Sequence, residues 1–275
     1  MSRFTILGAG GFIGAAIGDF LRRIGHEVHP IHRDGVAPLL DGGRPAGHVI
    51  YCIGLTGDFR TRPLDTADAH VGLVGRILAR VPLDSFLYLS STRIYARAEV
   101  AREEVPIAVL PGMPSDLYNV TKLAGEALCL SDPRPTIRAA RLSNVYGAAM
   151  GTDSFLGQVL AEGRATGQVT LRQSLLSAKD YVALDDVVRI LVAIAERGAA
   201  RLYNVASGVN ITHDALAVAL TRRLGWRIAA ADGVTAVRFP RIDIQRATIE
   251  FGAPRHHILE DLPSLGSLQR QEVAC

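Results

Sequence analysis

Apolar and polar positions fall into short blocks from the start of the chain. Arg3-Phe-Thr-Ile-Leu7 is a β-rich run, and a helical stretch then reaches Ile24, where Gly25 is a natural stop. Glu27–His32 and His48–Ile53 read as further strands. Thr66 to Val81 carries Val71, Val74, Ile77, Leu78 and Val81 at helical spacing. Ser85–Leu89 is a strand, and Ser115–Leu130 a helix of good formers without internal proline. The alternation predicts an α/β fold, a doubly wound parallel sheet with ligands at the carboxyl ends of its strands. Residues 35–47 hold Pro38, Gly42, Gly43, Pro45 and Gly47 and read as loop with at most one helical turn. Gly57–Pro63 is a polar loop after a strand.

The second half continues with a helix from Phe155 to Gly163 and a short strand Val169–Arg172. Asp185 to Arg197 is a helix with an acidic start and a basic end, as its dipole favours. Leu202–Val205 is a strand returning to the sheet, and Thr212 N-caps a helix to Leu224. A helix near 243–251 follows, and the polar tail after Ser264 is expected to be loose.

Composition narrows the function classes. A chain of 275 residues, 48% hydrophobic, supplies a core for one or two domains. A net charge of +3 from scattered arginines makes no case for nucleic acid. No apolar run reaches transmembrane length, so no membrane partner is expected. Strand-like sequence from Arg3 leaves no room for a signal peptide, which points to the cytoplasm. Cys52, Cys129 and Cys275 are far apart and odd in number, which favours free thiols over a disulfide or a metal set.

Three stretches carry chemistry. Gly8-Ala-Gly10-Gly11-Phe12-Ile13-Gly14 lies between the first strand and the first helix. Glycines are needed where backbone turns tightly against a pyrophosphate resting on a helix N-terminus. The end of the second strand selects the cofactor, since an acid there binds a ribose 2′-hydroxyl and an arginine a 2′-phosphate. His32-Arg33 at that place tilts the reading toward NADP, with Asp34 a possible inward-turning acid. Tyr118 and Lys122 lie four apart on one helix face, where an ammonium favours a phenolate and readies the tyrosine for proton transfer. Ser90, Ser91 and Thr92 fall at a strand's carboxyl end, either capping a turn or binding the reacting oxygen beside Tyr118.

Taken in order, Gly8-x-x-Gly11-x-x-Gly14, Ser90-Ser91-Thr-Arg-Ile-Tyr95, Tyr118-x-x-x-Lys122 and Arg141-Leu-Ser-Asn144-Val-Tyr-Gly147 resemble the extended short-chain dehydrogenase/reductases. These are NAD(P)-dependent epimerases, dehydratases and reductases, mostly of nucleotide sugars. Lys179-Asp-Tyr-Val-Ala-Leu-Asp-Asp186, Tyr203-Asn-Val-Ala-Ser-Gly208 and Asp243-Ile-Gln-Arg-Ala extend the likeness over nearly the whole chain. The resemblance implies a Rossmann-type domain, mainly residues 1–147. A small substrate lobe, mainly 148–275, follows, with segments near 180–206 returning to the first domain.

It further implies that Ser91 polarises the substrate oxygen, Tyr118 is the acid/base, and Lys122 lowers its pKa and binds the nicotinamide ribose. Gly8, Gly10, Gly11, Phe12, Ile13 and Gly14 would hold the pyrophosphate. Thr92, Asn144 and Lys179 would meet the substrate. Apart from the resemblance, Arg238 or Arg241 could meet a diphosphate or could equally be a solvated surface arginine. A homodimer through the helices at 66–81 and 115–130 is the family expectation. The implied function is reduction or oxidation of a nucleotide-linked 4-keto sugar. Epimerisation with tightly bound NAD and reduction of a non-sugar ketone are alternatives. So is a non-catalytic NAD(P)-binding sensor or scaffold.

Departures from the pattern carry equal weight. Family dehydratases place an Asp-Glu pair where this chain has Thr92-Arg93, so elimination of water is not expected. Only residues 33–47 separate the second and third strands, so the first half is about one strand short. The adenine pocket would then be rebuilt from Asp41 or the 35–47 loop. The helix near 66–81 carries His70-Val71 where the family has Asn-Val, which suggests a structural histidine.

Overall fold

A computed structural model describes residues 1–55, 57–231 and 233–267. The first half is built from β1 (Arg3–Leu7), α1 (Phe12–Arg23), β2 (Glu27–Ile31), α2 (Val36–Asp41), β3 (His48–Tyr51), α3 (Pro63–Ala67), α4 (Leu73–Arg80), β4 (Ser85–Ser91), α5 (Asp116–Ser131) and β5 (Ile137–Leu142). The second comprises β6 (Asn144–Tyr146), α6 (Phe155–Thr166), β7 (Gln168–Leu171), β8 (Ala178–Ala183), α7 (Leu184–Arg197), β9 (Leu202–Val205), β10 (Asn210–Thr212), α8 (His213–Leu224), β11 (Arg227–Ala230), α9 (Gln245–Phe251) and α10 (Ile258–Ser267). No helix of the described residues is long and apolar enough to cross a membrane.

Six strands form one parallel sheet in the order β2-β1-β3-β4-β5-β9. The order reverses between β1 and β3, the switch point where such sheets take ligands. Both faces are covered, so the strands are apolar on both sides. Leu87 packs with Phe4, Ile17 and Leu191, while its neighbours Phe86 and Tyr88 pack with Val74, Ile77 and Cys129. β2 is an edge, which is why it tolerates Pro30.

The remaining strands build the lobe. β10-β8-β6 form one small sheet and β11-β7 another. A separate core of Leu156, Leu160, Val169, Leu216, Trp226 and Leu262 holds them together. The chain then returns, with α9 packing against β9 and α7.

Three local expectations are corrected. Residues 33–41 are more ordered than a loop, forming a 3-10 turn (Arg33–Gly35) and then α2, whose Leu39 and Leu40 pack on the α4 side of the sheet. The helix placed at 66–81 begins at Pro63 and passes through a π-turn at Asp68–Gly72 before α4. Of the tail after Ser264, residues 265–267 continue α10, with Leu265 buried; residues 268–275, Cys275 included, lie outside the described residues. Of the other thiols, burial pushes Cys52 and Cys129 up to about 12.

Candidate active site

β1 ends in the glycine turn, where the Gly11 N–H donates to the Gly8 carbonyl at 3.0 Å and the Gly8 N–H to Ile31 O at 3.1 Å. A Cβ on Gly14 would stand 2.3 Å from the Gly8 oxygen, so only glycine allows helix and turn to close this tightly. Gly11 is the N-cap of α1 and no side chain caps it. Phe12, Ile13 and Gly14 line a cleft of about 980 Å³, into which that helix end faces. Uncapped N–H groups and a positive helix end suit a pyrophosphate, so the site fits a dinucleotide. The exposed His32 packs beside Gly10, and Arg33, also exposed, opens the 3-10 turn after β2.

The same cleft is lined by Ser91, Thr92, Arg93, Tyr118 and Lys122. Ser91 ends β4, and its Oγ accepts the Arg93 N–H at 3.2 Å, capping a 3-10 turn over Thr92–Arg97. The cap and the reactive placement are therefore compatible, because the Ser91 side chain also acts on the Tyr118 phenol, lowering its pKa against burial. Thr92 is buried and donates to Leu142 O at 3.3 Å. Tyr118 and Lys122 project from α5, both almost fully buried. Lys122 Nζ donates to Leu89 O at 2.8 Å and lies 5.9 Å from the Tyr118 ring centroid.

Electrostatics differ from the simple Tyr-Lys expectation. Burial raises the Tyr118 pKa, opposed by the Ser91 hydrogen bond and the Arg93 charge. Lys122 is itself lowered to about 7 by burial, against the pull of Glu126. The cation that acts on the phenol is Arg93, 5.4 Å from the ring centroid.

His70 lies beneath the pair, wholly buried, with its ring edge-on to Tyr118 at 5.4 Å. Its Nε2 accepts the Leu55 N–H at 3.3 Å, so the proton sits on Nδ1, which donates to Thr121 Oγ1 at 2.8 Å. Thr121 in turn donates to Leu117 O or Tyr118 O. Burial, then Lys122, lowers the His70 pKa to about 3, which keeps the ring neutral. The π-turn turns His70 inward, and the Tyr51 hydroxyl takes up the Ala69 carbonyl at 2.5 Å. α5 meets this turn so closely that a Cβ on Gly125 would be 2.4 Å from His70 O.

A buried network supports α5 from the other side. Arg141 on β5 pairs with Glu126 at 2.7 Å and donates to Tyr95 Oη at 2.7 Å; that hydroxyl contacts Asn204 Oδ1 at 2.8 Å. Arg141 of the sequence motifs thus stands behind the cleft wall, while Tyr95, which it holds, lines the cleft itself.

On the lobe side the cleft is lined by Asn144, Phe155, Lys179 and Asp180. Asn144 Nδ2 donates to Asp180 O at 2.8 Å. Lys179 lies 4.7 Å from the Phe155 ring centroid, lowered to about 8 by burial and then by Arg93. Asp180 accepts from Ser143 Oγ, Ser207 N, Ser207 Oγ and Val209 N, which stitches β8 to its neighbours. Arg238 is not brought to the wall: it is exposed, its Nε donates to Leu176 O at 3.3 Å, and its neighbours Val237 and Phe239 line the cleft instead. Arg241 likewise donates to Gly208 O at 2.6 Å. Sequence reasoning missed Phe59, Arg60 and Arg172, all lining the cleft. The signal for the first two was their loop, which follows β3 at the carboxyl edge of the sheet.

Known proteins share the sequence pattern and the fold. A dTDP-glucose 4,6-dehydratase of Streptomyces griseus is 25% identical over 147 residues, covering 51% of this chain and 43% of the relative, so the aligned part spans less than half of that protein. A dTDP-6-deoxy-L-talose 4-dehydrogenase (NAD(P)(+)) of Kitasatospora kifunensis is 28% identical over 317 aligned residues, covering 98% and 96%. The solved structure of MoeE5 with UDP-glucose and NAD superposes with a TM-score of 0.79 at 22% identity, covering 94% and 96%, and so shares the fold. A sequence model of one family matches residues 4–206, from β1 through the carboxyl end of β9 and across the glycine turn, Ser91, Tyr118 and Lys122. With that match spanning the whole sheet and its switch-point cleft, the chain belongs to the NAD-dependent epimerase/dehydratase family.

Proposed function

We propose that this protein is an NAD(P)-dependent oxidoreductase of a nucleotide-linked keto sugar. The observation that carries the reading is that Ser91, Tyr118 and Lys122 share one cleft with the uncapped N-terminus of α1. The dTDP-sugar names of the two sequence relatives support the substrate class.

A bound nicotinamide cofactor would supply or accept the hydride. The chain's own residues do the rest. Ser91 and Tyr118, which line one cleft, would converge on the substrate oxygen. Tyr118 would pass its proton to that oxygen or take one from it. Lys122, held by Leu89 O, would bind the ribose hydroxyls and replenish the proton. Asn144 and Lys179 would hold the diphosphate from the lobe. Thr92-Arg93 supplies no acid pair for dehydration, which favours redox chemistry at one carbon. Arg33 at the end of β2 supports NADP over NAD, and the reading includes a cytoplasmic homodimer.

Replacing Tyr118 by Phe tests it. Turnover of a 4-keto sugar nucleotide with NADPH should fall by roughly 10²–10⁴-fold while cofactor binding persists. Undiminished turnover would remove Tyr118 from the chemistry, and a cofactor-binding protein with no turnover in either form would leave the sensor reading. For assembly, sedimentation should give twice the 29.5 kDa chain mass. Leu128→Glu on the exposed side of α5 should shift it toward monomer.

A further inference from the structure

We infer that Arg93 forms an anion subsite at the reacting end of the cleft, selecting a sugar whose carboxylate lies beside the carbon served by Tyr118. This deepens the nucleotide-sugar reading and rests on it.

Arg93 is two residues from Ser91, and its guanidinium carbon lies 5.3 Å from the Phe59 ring centroid and 5.4 Å from that of Tyr118. The two rings are themselves in contact at 5.5 Å. Among the described residues no carboxylate hydrogen-bonds or pairs with this guanidinium; the Arg93 backbone N–H is spent on Ser91. Its surroundings add positive charge. Arg60 lies 4.5 Å from the Phe59 ring on which Arg93 also rests and acts against the Arg93 charge, and Lys179, which lines the same cleft, is itself lowered by Arg93 after burial.

The acids lining the cleft, Asp153, Glu162 and Asp180, form no ion pair with Arg93 among the described residues: Asp180 is tied to Ser143, Ser207 and Val209, and Glu162 to the Thr170 N–H. Asp116 attracts Arg93 from further off and is itself paired with Arg97. A half-buried, unpaired guanidinium flanked by two further cations is costly unless a ligand supplies the counter-charge. A planar fork of donors against aromatic faces matches a carboxylate, which it can engage with two parallel hydrogen bonds. Asn144 and Lys179, on the lobe, are placed for the diphosphate. Arg93 is at the Tyr118 end, where the sugar ring would lie.

The test is isothermal titration of the NADP⁺-saturated protein with UDP, dTDP, UDP-glucose and UDP-glucuronic acid. Wild-type protein should bind UDP-glucuronic acid at least tenfold more tightly than UDP-glucose. In Arg93→Met that ratio should fall to within threefold of unity, and Arg93→Lys should give an intermediate ratio. Thermal melts of both variants confirm that they fold. A wild-type ratio near one, or a ratio unchanged in Arg93→Met, would overturn the inference while leaving the nucleotide-sugar reading intact. So would an equal loss of affinity for UDP itself, which would assign Arg93 to the diphosphate. If no nucleotide bound at all, the nucleotide-sugar reading would fall, and this inference with it.

Discussion

At the scale of single residues, His70 shows how much a side chain's role depends on what surrounds it. Folded, it is neutral and held to about 3, against an ordinary value of 6.5. Above pH 6.5 it is neutral in both folded and unfolded chains, and its contribution is present in full. Below 6.5 the unfolded chain takes up a proton that the folded one refuses, so stability drains away as pH falls toward 3. His70→Asn should therefore cost about 1–3 kcal/mol at pH 7, through a lost bond to Leu55 or Thr121, yet show a shallower loss between pH 6.5 and 3 in urea melts. An unchanged acid limb would mean that His70 is not the group responsible. The sequence marked His70 as structural, but not its partners: Thr121 is 51 positions away, and only folding makes them neighbours. Tyr118, Lys122 and Ser91 were legible because their spacing is local to one helix and one strand end. Arg93 was legible only as a missing acid, since its aromatic contacts come from another loop.

The helix pair is the next scale up. The π-turn between α3 and α4 and the close approach of α5 could not be read from periodicity, because a 3.6-residue pattern continues plausibly through 66–81 without it. Its trace was Gly125, whose need appears only when the facing carbonyl is in place. The Arg141–Glu126 pair that fixes α5 to β5 is buried on both sides, with side chains 5% and 3% exposed. Arg141→Met should strand the Glu126 charge and destabilise the fold by about 3–5 kcal/mol, measured by urea denaturation. A loss below about 1 kcal/mol would show that Glu126 is neutralised some other way. Strand and helix identities, by contrast, were mostly legible, because apolar blocks bounded by glycine and proline report them directly. α2 and α10 were hidden by proline- and glycine-rich or polar sequence, and both are ordered by packing onto neighbouring cores.

For the whole molecule, the sheet order and the cleft between the sheet and the lobe make cofactor binding a property of global stability. A ligand that binds only the folded chain, present at 100 times its Kd, adds about 2.7 kcal/mol. NADPH at that excess should raise Tm by roughly 5 °C, with a smaller rise for NADH at equal concentration. Equal shifts would end the argument from Arg33. The sheet itself ends at β2, an edge strand flanked by the short α2 and followed by exposed His32 and Arg33. The adenosine half of a dinucleotide resting there would meet little wall and would leave with little to break. On the proposed redox reading, such an enzyme would trade its coenzyme with the surrounding pool at every turnover, and its direction and pace would follow the ratio of reduced to oxidised dinucleotide around it.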